Sequence, residues 1–393
     1  MPTPQLPKAL ILEGYKCFHH AERLDLRPLT LLYGRNNAGK SAVLRALATI
    51  GRSVSENAAS PWDMGDAEGP GKEGSFADLP WRGRDLRYFS VAFEWPSAEP
   101  CVDQLLIERT DDDEIAVRAV LVGAAAQISN QRLRQLSTDS SSFVGLIPQH
   151  TTPSDERHPL AQRLGRLRGQ VQWLQGGRVS PPRFIPLKLD PPVLKSNGAD
   201  AGHKLLARWA QIGADVQAFY DQLGRKLQPG MAFSHYKTFF LDAAGFIEWQ
   251  IQLADVGEGM STVLPVLVAV ASAVRGCGPS LVLIEDPEAH LHDDAVRLLA
   301  EWIAERLKEN PKVRVVMETH SEILKLAVQN IVYEGTLPPE AVNLVWAEAQ
   351  GDGHSKLKPV PLSQGGQPEN NTLRGAFSEG LRLASSLAGF DSK

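Results

Sequence analysis

The sequence predicts an α/β protein built on a parallel sheet, and three stretches predict it. Leu29, Leu31, Leu32 and Tyr33 form a strand-type run that feeds into Gly34; from Lys40 a helical pattern follows, with Ala42, Val43, Leu44, Ala46, Leu47 and Ile50. A second run, Leu281-Val282-Leu283-Ile284, ends in Glu285 and Asp286. A third, from Val313 to Met317, ends in Glu318-Thr319-His320-Ser321. Short apolar runs of this kind are strands covered on both faces, as in parallel sheets. Open sheets of this type bind ligands at the carboxyl ends of their strands, which is where these polar residues fall.

The other elements follow in order. Residues 9–13 and 23–26 read as strands. Residues 51–74 are rich in Gly, Ser, Pro and Asp and read as an exposed loop. In 86–95 Phe89, Val91, Phe93 and Trp95 alternate with Tyr88, Ser90, Ala92 and Glu94, a period of two. With 102–108 and 114–122, joined by a turn at 111–113, this makes a β-meander. Residues 124–136 turn helical and 137–153 form a loop. Residues 159–174 read as a basic amphipathic helix carrying Arg163, Arg166 and Arg168. The five prolines of 180–192 exclude regular helix there. In 205–227, Leu205, Trp209, Ile212, Val216, Phe219 and Leu223 are spaced alternately by four and three, which predicts a packed helix too short for a coiled-coil arm. Strands are expected at 239–241 and 247–253, an apolar helix at 263–274, a helix at 323–333, strands at 342–347 and 357–362, and a last helix at 373–387.

The 393 residues carry a formal net charge of −5, with 43% apolar and 22% charged residues. That is ordinary for a globular chain and gives no global basic signature for nucleic acid. Cys17, Cys101 and Cys277 are scattered and without metal spacing, which suggests free thiols in a reducing cytoplasm. The start of the chain lacks a signal-peptide pattern, and the longest apolar stretch, 263–274, is too short to span a bilayer. A cytoplasmic, membrane-free protein is expected.

Gly34-Arg35-Asn36-Asn37-Ala38-Gly39-Lys40-Ser41 fits G-x-x-x-x-G-K-S, and its strand–loop–helix setting turns a text match into a phosphate cradle. Glycines let the backbone curl its N–H groups toward anionic oxygens, and the helix that begins there, through Ala42, aims its positive end at the same place. Lys40 would place its charge on the β/γ phosphates of ATP, and the Ser41 hydroxyl would ligate Mg²⁺. Glu285 is placed to hold Mg²⁺ and Asp286 to polarise the attacking water. His320, at a strand end, can hydrogen-bond a γ-phosphate oxygen. Gly257, Glu258, Gly259 and Ser261 precede the apolar helix and form a second anion-facing nest. One nucleotide does not need two nests, so the economical use of the second is to close a nucleotide held by another copy. Each piece has a plainer reading: a glycine turn, an acidic first helical turn, a cap neighbour, a turn before a buried helix. Their joint occurrence favours the nucleotide site.

The order of these pieces resembles the ABC-type ATPase head of SMC and repair ATPases. Ile-Glu-Asp-Pro-Glu-Ala-His-Leu-His at 284–292, Glu-Thr-His-Ser-Glu at 318–322, Gly-Tyr-Lys-Cys-Phe at 14–18 and Val-Gly-x-Gly-x-Ser at 256–261 are closer to the OLD (overcoming lysogenization defect) family. They also resemble its stand-alone relatives in anti-phage systems such as PARIS, Septu and Gabija. The resemblance covers 10–47 and 254–326. It implies a P-loop NTPase head of ABC/SMC type with a β-meander subdomain and an inserted, mostly helical lobe: residues 1–51 and 251–393 as head, 52–250 as meander and lobe. It implies Lys40 and Ser41 on the nucleotide, Glu285 as Walker B acid, Asp286 at the catalytic carboxylate position, His320 as switch histidine, and Gly257, Gly259 and Ser261 as trans signature. Three departures stand out: Asp286 is one methylene shorter than the usual Glu, no glutamine linking metal to lobe is identifiable, and His292 replaces the D-loop Asp of transporter heads. Some family members carry a TOPRIM nuclease domain; the tail after Ser321 is too short for one, so any nuclease-like or toxic effector would be a separate chain.

The resulting expectation is an Mg²⁺-dependent ATPase switch that forms a homodimer or higher homo-oligomer around ATP and controls a separate effector in defence. The rival expectation is a DNA-repair or recombination clamp, with Arg157, Arg163, Arg166 and Arg168 tracking duplex phosphates.

Overall fold

The structure, a computed structural model, describes residues 5–66, 68–71, 74–81, 87–112, 114–136, 143–186, 190–233, 236–242 and 250–369. The helix expected at 373–387 lies outside these residues, as do residues 247–249 of the strand expected at 247–253; its remainder is observed as strand Gln250–Gln252.

A six-stranded sheet runs in the order Ser355–Val360, Val342–Ala349, Leu29–Gly34, Arg314–Thr319, Leu281–Glu285, Val171–Leu174. All its pairings are parallel except that of the first two strands. The strands alternate between two cores, as the period of a strand demands. Leu29, Leu31, Tyr33, Val282, Ile284, Val315 and Met317 face one, and Leu32, Leu281, Leu283 and Val316 face the other.

The first core lies under a helical layer. Helix Leu264–Val274 is buried at every residue, which is why it is apolar all round. It packs against Ala201–Ala207, Trp209–Gln222 and Asp293–Glu309. Asp215, 4% exposed, ties this layer together by accepting from Arg275 and Arg306. The second core lies between the main sheet, helix Lys40–Ser53 and an antiparallel five-stranded sheet in the order Glu22–Asp25, Ala9–Glu13, Tyr88–Glu94, Val102–Arg109, Ile115–Ala124. The alternation read at 86–95 is observed: Phe89, Val91, Phe93 and Trp95 enter this core. Each such side chain contributes roughly 1.5–3 kcal/mol by leaving water.

The segment expected as one helix at 159–174 divides. Helix His158–Gly165 ends before Gly169, which takes φ +65°, and Val171–Leu174 becomes the edge strand of the main sheet. The stretch 205–227 also divides: Arg208, at φ −113° and ψ 18°, separates Ala201–Ala207 from Trp209–Gln222, and Gly224 in the left-handed region precedes strand Lys226–Phe233. In 124–136 strand Ile115–Ala124 ends and only Asn130–Leu133 is helical. Among the described residues no helix is long and apolar enough to cross a membrane.

Candidate nucleotide site

The glycine loop is held by contacts that leave little freedom. A Cβ on Gly34 would lie 2.3 Å from the Ala347 carbonyl oxygen. Gly39 takes φ +97°, and a Cβ there would sit 2.6 Å from Cys17 Sγ and 2.8 Å from the Phe18 ring. Asn37 is also left-handed, at φ 60°. Lys40, 4% exposed, bends back over the loop and donates from Nζ to the carbonyls of Gly34 (2.9 Å) and Arg35 (3.1 Å). Burial lowers its pKa against the opposing pull of Glu318, Asp286 and Glu288. Arg35, Asn36 and Asn37 are exposed, Ala38 is buried, and Ser41 and Ala42 are half-buried at the helix start.

Sheet register delivers the acids. Glu285 pairs with Glu318, and Glu318 with Leu32 of the strand that enters the loop. The Ser41 hydroxyl donates to Glu318 Oε1 at 2.9 Å. Arg45, one helical turn beyond Ser41, forks onto both oxygens of Glu285 at 2.7 and 3.0 Å. Glu318 is buried, and its pKa is pushed up to about 7, first by burial and then by the Glu285 charge beside it. Its Oε2 is buried without a hydrogen-bond partner. Asp286 takes φ +43°, and its amide donates to the Glu318 carbonyl at 3.1 Å.

His320 stands exposed just past strand Arg314–Thr319, and Ser321 caps the next helix by accepting from the Leu324 amide at 3.1 Å. The nest Gly257–Ser261 lies against the loop that follows the paired acids. A Cβ on Gly259 would meet the His290 carbonyl oxygen at 2.3 Å, and His290 Nδ1 lies 3.3 Å from Glu258 Oε2. Gly257 and Glu258 are exposed to an approaching molecule. Ser261 is turned inward, 1% exposed, with its hydroxyl on that of Ser180 at 2.7 Å.

Five residues escaped the sequence reading. Glu318 and Glu288 stood inside motifs already noticed, and only strand register and loop path reveal what they face. Arg45 is four residues from Ser41, on the same helix face. Arg178 is 7% exposed and donates to the carbonyls of Glu285 (2.6 Å), Asp286 (2.7 Å) and Thr262 (3.2 Å). It thus bridges the acid loop and the nest, and burial lowers its pKa to about 10. Gln175 follows the edge strand beside Glu285, and the next amide, Gly176, reaches Glu285 Oε2 at 3.4 Å.

The donor set fits Mg²⁺ bound together with phosphates: Ser41 and Glu285 offer hard oxygens, and Glu318 Oε2 is open. Among the described residues no group of three or more His, Cys, Asp or Glu could hold a metal unaided.

A family model described as "AAA domain, putative AbiEii toxin, Type IV TA system" matches residues 237–327. In fold the chain is similar to an Smc head bound to the C-winged helix domain of ScpA, with TM-score 0.56 and 15% identity over 91% of this chain and 98% of that one. It is also similar to the Smc head domain with an extended coiled coil from Pyrococcus furiosus, with TM-score 0.52 and 12% identity over 98% and 99%. No curated protein matches significantly. The chain has the fold of a P-loop ATPase head. The closer resemblance to the OLD family rests on its motifs alone.

Proposed function

We propose that the protein is an Mg²⁺-dependent ATPase switch in which two copies close around ATP. One observation carries this reading: Lys40, Ser41, Glu285, Asp286 and Glu318, drawn from distant parts of the chain, meet at the carboxyl edge of one parallel sheet. Ser41 and Glu285 would hold Mg²⁺, whose charge would offset that developing on the phosphates. Lys40, now spending its donors on Gly34 and Arg35, would turn them to phosphate oxygens. Arg45 donates to both oxygens of Glu285 and would compete with the metal for them. Gly257, Glu258 and Gly259 would meet the γ-phosphate of the partner copy, with His320 contacting it from within the holding copy.

In this proposal ATP-driven closure governs a separate toxic or nuclease-like effector, a step that rests on the motif resemblance; the matching family's description names a putative toxin of a type IV toxin–antitoxin system and no second chain. Each arginine first considered for the DNA-clamp alternative has a side-chain partner, though that of Arg166, itself exposed, is neutral. Arg157 is paired with Asp155, Arg163 with Asp103, Arg166 with Gln5 and Arg168 with Glu56.

The test is turnover and light scattering of purified protein with ATP and Mg²⁺. Lys40→Ala should lower turnover by at least about 100-fold and abolish ATP-induced dimers. Unchanged turnover in that variant would remove the assignment.

A further inference from the structure

The segment that follows edge strand Val171–Leu174 touches both the acid loop and the nest. The Gly176 amide reaches Glu285 Oε2 at 3.4 Å, and Asp286 Oδ2 stands 3.0 Å from where a Cβ on Gly176 would be. Arg178, 7% exposed, donates to four main-chain carbonyls: Gln175 (3.2 Å), Glu285 (2.6 Å), Asp286 (2.7 Å) and Thr262 (3.2 Å). Thr262 ends the short helix Glu258–Thr262, which carries the nest. Two residues beyond Arg178, the Ser180 hydroxyl lies 2.7 Å from that of Ser261, which donates to the Glu258 carbonyl at 3.1 Å. Residues 175–180 thus form a strut between the chain's own acids and its nest.

A guanidinium that serves to neutralise one acid forks onto its carboxylate, as Arg45 does on Glu285. Arg178 instead spends its donors on backbone, while Glu285, Asp286 and Glu288 supply the field that favours its charge. The backbone it holds is strained: Asp286 takes φ +43°, a region that costs a non-glycine residue about 1–3 kcal/mol. We propose that Arg178 is a positioning residue that ties the aim of Asp286 to the occupancy of its own chain's nest. This rests on the ATPase reading above and deepens it. In the two-copy state a chain's acids serve the nucleotide it holds, while its nest meets the γ-phosphate held by the partner. A phosphate arriving at Gly257 and Gly259 bears on the helix that ends at Thr262, and the guanidinium on that carbonyl also holds Asp286. Filling one nucleotide site thereby sets the acid of the other. None of the four accepting carbonyls belongs to the cradle, so Arg178 governs turnover and not ATP affinity.

Arg178→Ala should lower kcat by about 30- to 100-fold, the cost of a misplaced acid, while ATP affinity stays within about threefold. A lost brace alone would give a similar loss, so the deciding readout is a double-mutant cycle with Gly257→Ala. A Cβ on Gly257 meets nothing of its own chain within 4 Å, so independent roles would give costs that multiply. With the coupling in place, Gly257→Ala costs about tenfold in the parent and no more than about threefold where Arg178 is missing. Should Arg178→Ala fold poorly, the same cycle is run on Arg178→Lys, which keeps a cation but cannot reach both loops at once. Costs that multiply, full turnover in Gly257→Ala, or Arg178→Ala turnover within about threefold of the parent overturns the inference. The two readings fail differently: a parent without Lys40-dependent turnover defeats the ATPase reading and this inference with it, whereas a normal parent whose costs multiply defeats the inference alone.

Discussion

The phosphate cradle and the Gly257–Ser261 nest are both glycine turns leading into helices, yet their surroundings differ. The cradle is closed by its own chain: Gly34 abuts Ala347, Gly39 abuts Cys17 and Phe18, and Lys40 and Ser41 already have partners. The nest is half closed. Gly259 is pressed against the His290 carbonyl, but a Cβ on Gly257 would meet nothing within 4 Å. A glycine needed for its own fold and a glycine with open space before it thus stand two residues apart. The first answers to this chain; in the proposed two-copy state the second would face the partner's phosphate.

That contrast can be broken by substitution. Gly259→Ala, forced against backbone, should disturb the acid loop itself, lowering Tm and cutting turnover by about 100-fold. Gly257→Ala should leave Tm within about 1 °C of the parent, because its φ of −54° and ψ of 144° suit alanine, yet reduce turnover by about tenfold if the partner's phosphate approaches there. ATP affinity of the monomer, measured below the dimerisation concentration, should stay unchanged. A Gly257→Ala protein with full turnover and normal ATP-induced dimers would remove the nest from the two-copy model.

How far the sequence foretold this can be argued from the same residues. The cradle was legible because pattern and chemistry coincide in one contiguous stretch: buried strand, two glycines, Lys-Ser, amphipathic helix. The acids at 285 and 286 were legible for a similar reason. Strand Val171–Leu174 was not. Four residues following a basic helix carry little period of their own, and their strand state comes from pairing with Leu281–Ile284 far along the chain. With that strand unseen, Arg178, four residues past its end, had no reason to be noticed. The inward turn of Ser261 was equally hidden, because its partner Ser180 lies in a proline-rich loop whose path no local rule specifies.

The acids offer a subtler test on the closed side. Glu318 has a pKa raised to about 7 from 4.5, so the folded protein holds its proton over a range where the unfolded chain has released it. Its contribution to stability is fully present below about pH 4.5 and is lost as pH rises through about 7, a span on the order of 3 kcal/mol. Glu318→Gln mimics the protonated side chain. In EDTA, without nucleotide, its stability relative to the parent should therefore grow as pH rises from 5 to 8, as read by urea unfolding. A parallel pair of pH–stability curves would show that Glu318 is not held above its ordinary range.

The smallest effect expected is at Arg45. This guanidinium grips both oxygens of Glu285 and, in the proposed cycle, competes with the metal for them. Removing it leaves a buried acid that is short of positive charge and readier to bind Mg²⁺. Arg45→Ala should therefore lower the Mg²⁺ concentration for half-maximal turnover by about three- to tenfold, while the metal-free protein loses about 1–3 kcal/mol from the unpaired Glu285. Arg45→Lys, which cannot fork, should fall between the two. The direction separates this idea from a purely structural ion pair. A pair that only braces the helix against the strand would, when broken, raise the Mg²⁺ requirement by loosening the site; a pair that guards the acid lowers it.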